Sequence, residues 1–279
     1  MINCFKMNGN GNDFLVFDNM SRQFDGAALS EYALLLCRRR ESLGADGLLV
    51  VEPSEKYDFK MRLFNRDGSE GEMCGNGARC IARFAYEKNI VRKNVTDFET
   101  LGGPVHASVN GERVTIDMAP VRVKDCAVNV PASVEGFDFK YTFLTVGVPH
   151  VVIFEDKHSR EFEEYVPVGR LIRNRLDLFP DGANVNFAAA DPKRRGVIDV
   201  FTYERGVEDM TLSCGTGSTA SAIAALLTGI ADDKVDVYNP GGVNRVSLEY
   251  NEDKEYILPK LEGSALFVAE ITVLRDALK

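Results

Sequence analysis

The chain has 279 residues, 45% hydrophobic and 27% charged, a globular balance that excludes a disordered polymer. Its formal charge of -9 argues against nucleic acid as the main partner, because phosphate binding calls for a basic face. Six cysteines with no Cys-x-x-Cys pair, beside three scattered histidines, suggest neither a disulfide scaffold nor a zinc site, so no metal is expected.

In chain order, "MINCFKMNGNGNDF" turns polar early and offers no apolar leader, and no later stretch approaches a membrane span. A cytoplasmic protein with reduced thiols is expected, without membrane association. A β-rich run (14–19) precedes an amphipathic helix predicted at about 28–40, whose Arg38-Arg39-Arg40 reads as a solvated helix end. Strands follow at 47–53 and 59–65. "EMCGNGARC" (72–80) then opens a helix with Ala78, Ile81, Ala82 and Ala85 at helical spacing. Next come a strand, a hairpin over 107–118 with Asn110-Gly111 as its turn, and strands at 142–147 and 150–154. A helix is predicted at about 159–175 and a strand at 196–203. "LSCGTGSTASAIAA" opens another helix, and a strand, a hairpin over 246–259 and a last strand (267–274) complete the chain.

The second half repeats the first. "MCGNGARCIARFAYEKNI" (73–90) and "SCGTGSTASAIAALLTGI" (213–230) share a cysteine, Gly-x-Gly, an apolar helical stripe and a final isoleucine. Cys74 and Cys214 are 140 residues apart, and Gly102 and Gly241, in the Gly-Gly pairs that follow, are 139 apart. The expected fold class is α/β of the α+β type. Two pseudo-twofold-related domains each wrap a curved, mostly antiparallel sheet around the helix that follows Cys-Gly-x-Gly. The expected domains are 1–118, completed by the strand 266–279, and 119–265. The duplication is expected to bring the two helix starts together at the domain interface.

The first amides of a helix have no intrahelical partner and carry the positive end of its dipole. A cysteine there has a depressed pKa. The glycines are expected to let a bound group approach the amides of Gly75, Asn76 and Gly77, and of Gly215, Thr216 and Gly217. A carboxylate held between both sets would keep its α-carbon between two sulfurs. One thiolate removes the α-proton while the opposite thiol delivers one to the other face, a two-base racemisation that needs no cofactor. A lone Cys-Gly-x-Gly is more often structural; two at equivalent positions reverse that expectation.

"KMNGNGNDFLVFDN", "GADGLL", "RLFNRDGSEGEMCGNGARC", "GVPHVVIF", "GANVNF" and "YERGVEDMTLSCGTG" make the chain resemble the diaminopimelate epimerase family almost end to end. The resemblance implies a cofactor-independent enzyme that interconverts LL- and meso-diaminopimelate for lysine and cell-wall synthesis. It implies Cys74 and Cys214 as the acid/base pair, with His150 and Glu204 flanking the thiols. It implies Asn12 at the reacting end of the substrate, and Asn65, Asn184 and Arg205 at the distal amino-acid end; Glu204 is also a candidate for the distal ammonium. The partner implied is a small-molecule amino acid, and a homodimer is left open.

Each residue also has a structural alternative. His150 could be a satisfied strand-end histidine, Asn12, Asn65 and Asn184 turn residues, and Glu204-Arg205 a solvated pair worth under about 1 kcal/mol. Cys4, Cys37, Cys80 and Cys126 read as packing residues. Three departures from the family pattern are visible: Val148 replaces the asparagine of "GNPH", Met210 the usual glutamate, and "NGNGND" the usual "HGLGND". The alternative within the enzyme class is a racemase of another amino acid, such as histidine. A dithiol redox protein or anion-binding module would show Cys-x-x-Cys or a single Cys-Gly-x-Gly site, and neither pattern is present.

Overall fold

Asn10 and Gly11, at φ 52° and 88°, turn the chain between β1 (Ile2–Gly9) and β2 (Asn12–Asp18). A two-residue turn with both φ values positive matches strand twist, and Asn-Gly reaches it at least cost. The computed structural model describes residues 2–279. Internal contacts divide the chain into one unit that runs to Ile116 and resumes at Gly263–Lys279, and a second, Asp117–Glu262.

In the first unit, β2 pairs in parallel with β3 (Gly47–Glu52), and β3 antiparallel with β4 (Phe59–Asn65). Between β2 and β3 lies α1 (Gly26–Leu36), capped by the Asp25 carboxylate accepting from Ala28 N at 2.9 Å. This helix ends before the predicted 40, so Arg38–Arg40 lie in the following loop. The short β5 (Glu70–Gly71) leads to α2 (Gly75–Glu87). β6 (Val95–Thr100) pairs in parallel with β4, and β7 (Gly103–Asn110) and β8 (Arg113–Asp117) continue antiparallel. Asn110 pairs with Arg113, so the turn is Gly111-Glu112, with Gly111 at φ 59°, one residue later than predicted. The C-terminal strand Leu266–Val273 lies antiparallel along β1, from Ile2↔Val273 to Asn8↔Leu266.

The second unit holds β9 (Val121–Arg122), β10 (Ala127–Val134), β11 (Phe137–Val146) and β12 (Val148–Glu155). The helix predicted at 159–175 is shorter: a 3-10 turn, Phe162–Tyr165, with a capping box from Glu161 precedes α3 (Val166–Arg173). Then come β13 (Asn184–Ala190), β14 (Val197–Glu204), β15 (Asp209–Thr211), α4 (Gly215–Leu227), β16 (Lys234–Asn239), β17 (Gly242–Tyr250) and β18 (Tyr256–Ser264), with the C-terminal strand as β19. The pairing sequence repeats that of the first unit: β12 parallel to β13, β13 antiparallel to β14, β14 parallel to β16, β16 antiparallel to β17.

Each unit is built around its own helix. Nine of the 13 residues of α2 are buried, as are nine consecutive residues of α4, so both are enclosed nearly all round. Both helices also stop in the same way. Asn89 (φ 58°) and Gly229 (φ 76°) take the left-handed conformation, and the amides of Ile90 and Ile230 return to Ala85 O and Ala225 O, each at 2.9 Å. The repeated isoleucine is therefore the residue that closes a Schellman cap.

Candidate active site

Cys74 and Cys214 each stand as the N-cap of the enclosed helix of their unit, in extended backbone conformation. In the first unit the half-buried Cys74 Sγ donates to Asn12 Oδ1 at 3.5 Å, and Asn76 Nδ2 donates to the same oxygen at 3.5 Å. Asn12 is held in turn by Asp46, whose Oδ2 accepts from its amide at 2.6 Å. Arg39 donates to Asp46 Oδ1 at 2.8 Å and also grips Asp13, which pairs with Lys6 as well. Burial alone would raise the Asp13 carboxyl, but Arg39 and Lys6 together hold it below its ordinary range. Arg39 is thus not a solvated helix end. It is the far end of a chain of contacts that orients Asn12 against the thiol.

Behind Asn76 stands Arg79, a fully buried guanidinium that donates to Asn76 Oδ1 at 2.7 Å and reaches Ser264 O at 3.5 Å. A Cβ at Gly263 would lie 2.7 Å from its Cζ, so only glycine leaves it room. Burial pulls its pKa down, and Nη1 has no partner among the described residues. Asn65 is exposed at the end of β4, its amide donating to Ser69 Oγ at 3.0 Å within its own turn.

In the second unit the sulfur of Cys214, a residue 6% exposed, accepts from Gly217 N at 3.3 Å and lies 3.4 Å from Thr216 Oγ1. The Gly217 amide is thus engaged by the cap, and the amides of Gly215 and Thr216 precede it. The Glu204 carboxyl faces Thr211 and Cys214, and burial pushes its pKa up despite them. Asn184 is buried beside it, with Oδ1 accepting from Arg205 N at 2.7 Å, while the Arg205 guanidinium donates to Asp181 O at 2.6 Å. Glu204-Arg205 is thus no surface ion pair: the two side chains engage different partners.

His150 is completely buried, and burial, with Arg205 nearby, pushes it down to about 3. Its Nδ1 lies 3.2 Å from Asn186 Nδ2, and its Nε2 has no partner among the described residues. It is not the satisfied histidine of the structural alternative. Asn186 was missed in the sequence although it lies within "GANVNF". The available signal was strand periodicity, which puts Asn184 and Asn186 on the same face.

The second glycines of the two motifs have a packing reason of their own. A Cβ at Gly77 would meet Leu49 Cδ2 at 3.0 Å, and one at Gly217 would meet Asn186 Oδ1 at 2.5 Å. Both are bare because the sheet presses on the helix there. Burial raises the remaining thiols, Cys4 and Cys126 to about 11 and Cys37 and Cys80 to about 12, which suits packing residues. Among the described residues no cluster of His, Cys, Asp and Glu is arranged to hold a metal ion, and no helix is long and apolar enough to cross a membrane.

The sequence profile described as diaminopimelate epimerase matches residues 4–124 and 142–265. The chain belongs to the diaminopimelate epimerase family. It is 38% identical over 275 residues to the diaminopimelate epimerase of Hydrogenobaculum sp. (strain Y04AAS1), covering 95% of this chain and 96% of that one. It is 40% identical over 267 residues to that of Archaeoglobus fulgidus, with 90% of each chain covered. Among solved structures, the Bacillus anthracis phenazine biosynthesis protein of the PhzF family superposes with a TM-score of 0.74 at 17% identity, over 98% of this chain and 99% of that one. Family membership makes the chain an isomerase and bears out the mixed α/β fold with two pseudo-symmetric domains.

Proposed function

We propose that the protein interconverts LL- and meso-diaminopimelate by two-base proton transfer, with Cys74 serving one face of the α-carbon and Cys214 the other. The observation that carries this reading is the repetition of one device: a cysteine N-capping an enclosed helix, in each of two units built alike. The contacts of the two sulfurs differ, and the difference suits the chemistry. An amide oxygen only accepts, so the contact to Asn12 suits Cys74 as a thiol. The Gly217 N–H and the helix dipole suit Cys214 as a thiolate. Glu204, faced by Cys214 and raised by burial, is suited to exchange a proton with it.

In the forward step the Cys214 thiolate takes the α-proton, the substrate carboxylate becomes an enediolate at the amides of Gly75 and Asn76 and of Gly215 and Thr216, and the Cys74 S–H reprotonates the other face. Asn65, Asn184 and Arg205 are assigned to the distal amino-acid end. The residue ranges 1–118 with 266–279, and 119–265, are the two epimerase domains of this reading. Reduced thiols call for a cytoplasmic setting. A homodimer is the assembly to test by light scattering; one chain carries both thiols, so the chemistry does not require it.

The decisive assay follows α-hydrogen exchange in deuterated water with LL-diaminopimelate and, separately, with each L-amino acid. Exchange confined to diaminopimelate is expected. Faster exchange of L-histidine would overturn the substrate and leave the two-thiol step intact.

A further inference from the structure

Asn186 is a buried polar side chain to which the reading above gives no role. Its orientation is fixed from two sides. Nδ2 donates to the Val151 carbonyl at 2.9 Å, and Oδ1 accepts from Thr202 Oγ1 at 3.0 Å. A carbonyl can only accept, so the group facing Val151 O must be the NH2. The same NH2 lies 3.2 Å from His150 Nδ1, which must therefore offer a lone pair. A neutral imidazole with Nδ1 bare carries its hydrogen on Nε2.

The duplication supplies an internal control. Parallel pairing runs Phe14↔Gly47 in the first unit and His150↔Asn184 in the second, so the residue two further along the second strand is Leu49 in one and Asn186 in the other. These two residues do the same packing job, each lying beneath the second glycine of its Cys-Gly-x-Gly helix. Their cross-strand partners are Leu63 and Thr202. Where the fold needs only packing, it uses Phe14, Leu49 and Leu63. Where a histidine stands in the place of Phe14, the layer beside it becomes Asn186 and Thr202. The polar pair accompanies the imidazole rather than the fold.

We infer that Asn186 is a positioning residue that locks His150 in the Nε2–H tautomer, so that the imidazole serves the reaction as a neutral hydrogen-bond donor to an anionic acceptor and not as a base. A proton on Nδ1 would confront the Asn186 N–H, so the same contact opposes the imidazolium. Burial of His150 acts in the same direction. The use of that donor rests on the proton-transfer reading above; the tautomer does not.

The test is 15N NMR of histidine-labelled, substrate-free protein. With only three histidines, His150 is assigned by comparison with His106→Gln and His158→Gln. A pyridine-like Nδ1 and a protonated Nε2 are expected, with no titration between about pH 5 and 8, where an unperturbed histidine would change charge. Asn186→Asp should move the proton to Nδ1, and Asn186→Leu, which copies the first unit, should release the preference. Both should lower kcat at least about tenfold with KM changing less, since a histidine in the wrong tautomer is a poor catalytic partner. An Nδ1–H signal in the unsubstituted protein overturns the inference, and so does a tautomer shift that leaves kcat unchanged. Should either variant fail to fold, the unsubstituted spectrum still decides. The tautomer is read without substrate, so a wrong substrate assignment leaves this result standing, and a wrong tautomer leaves the thiol mechanism standing.

Discussion

Gly217→Ala and Gly77→Ala make the same chemical change at equivalent helix positions, and the structure predicts different outcomes. Alanine in place of a helical glycine gains up to about 1 kcal/mol. At Gly77 the new methyl meets Leu49 Cδ2 at 3.0 Å and Met61 Cε at 3.4 Å, both ends of flexible side chains. Relieving that contact costs about 1 kcal/mol, the low end for overpacking, and the net change is near zero. At Gly217 the methyl falls 2.5 Å from Asn186 Oδ1 and 2.9 Å from Thr202 Oγ1. Those atoms are hydrogen-bonded to each other, so neither can withdraw without leaving a buried polar group unpaired. Overpacking of about 2–3 kcal/mol, added to about 1–3 kcal/mol for a broken buried bond and set against the gain of about 1 kcal/mol, leaves a net loss of roughly 2–5 kcal/mol. Thermal denaturation should place Gly217→Ala roughly 5–10 °C below Gly77→Ala. Coincident melting temperatures would refute the claim that a rigid polar layer lies beneath the second helix alone.

Cys74→Ala and Cys214→Ala should each lower turnover at least about a hundredfold with circular dichroism unchanged; a variant keeping a tenth of the activity would remove that thiol from the mechanism. Alkylation followed by mass mapping should find label at Cys74 and Cys214, because the other four thiols are held protonated by burial; early label at Cys37 or Cys80 would contradict this. His150 is depressed to about 3 in the folded protein against about 6.5 unfolded, so its neutral form contributes stability in full above about pH 6.5 and loses it as pH falls toward 3. The melting temperature should accordingly begin to fall near about pH 6, and His150→Asn should flatten that part of the curve. Arg205→Lys should cut kcat/KM for diaminopimelate by an order of magnitude or more, since a point charge cannot replace a planar fork.

The duplicated helices, their cysteines and most strands were legible because burial all round and period-two alternation leave a direct imprint on residue choice. Arg39 was not. A basic run after an apolar stripe reads as a helix end, and only the loop's return past Asp13 and Asp46 turns Arg39 into a clamp. Arg79 was hidden for a similar reason: one charged residue within an apolar helix says nothing of Gly263, which makes its space from 184 residues away. The second glycine of each pair admits the sheet, a role that Gly-x-Gly alone does not reveal. The turn at Gly111-Glu112 was misplaced by one residue because Asn-Gly is also a frequent turn pair in its own right.

The pairing of β19 with β1 also sets an order on synthesis. Every residue of the Asp117–Glu262 unit has been made before Gly263 is added, but the first unit began earlier and must wait. Until β19 emerges, β1 has an unpaired edge, and both Arg79 and Arg83 of α2 lack the carbonyls of Ser264 and Ala265. An open strand edge is a template for pairing with other chains. The unit whose synthesis starts first is therefore completed only after the other, and a chain interrupted before β19 has its second unit whole and its first exposed to aggregation.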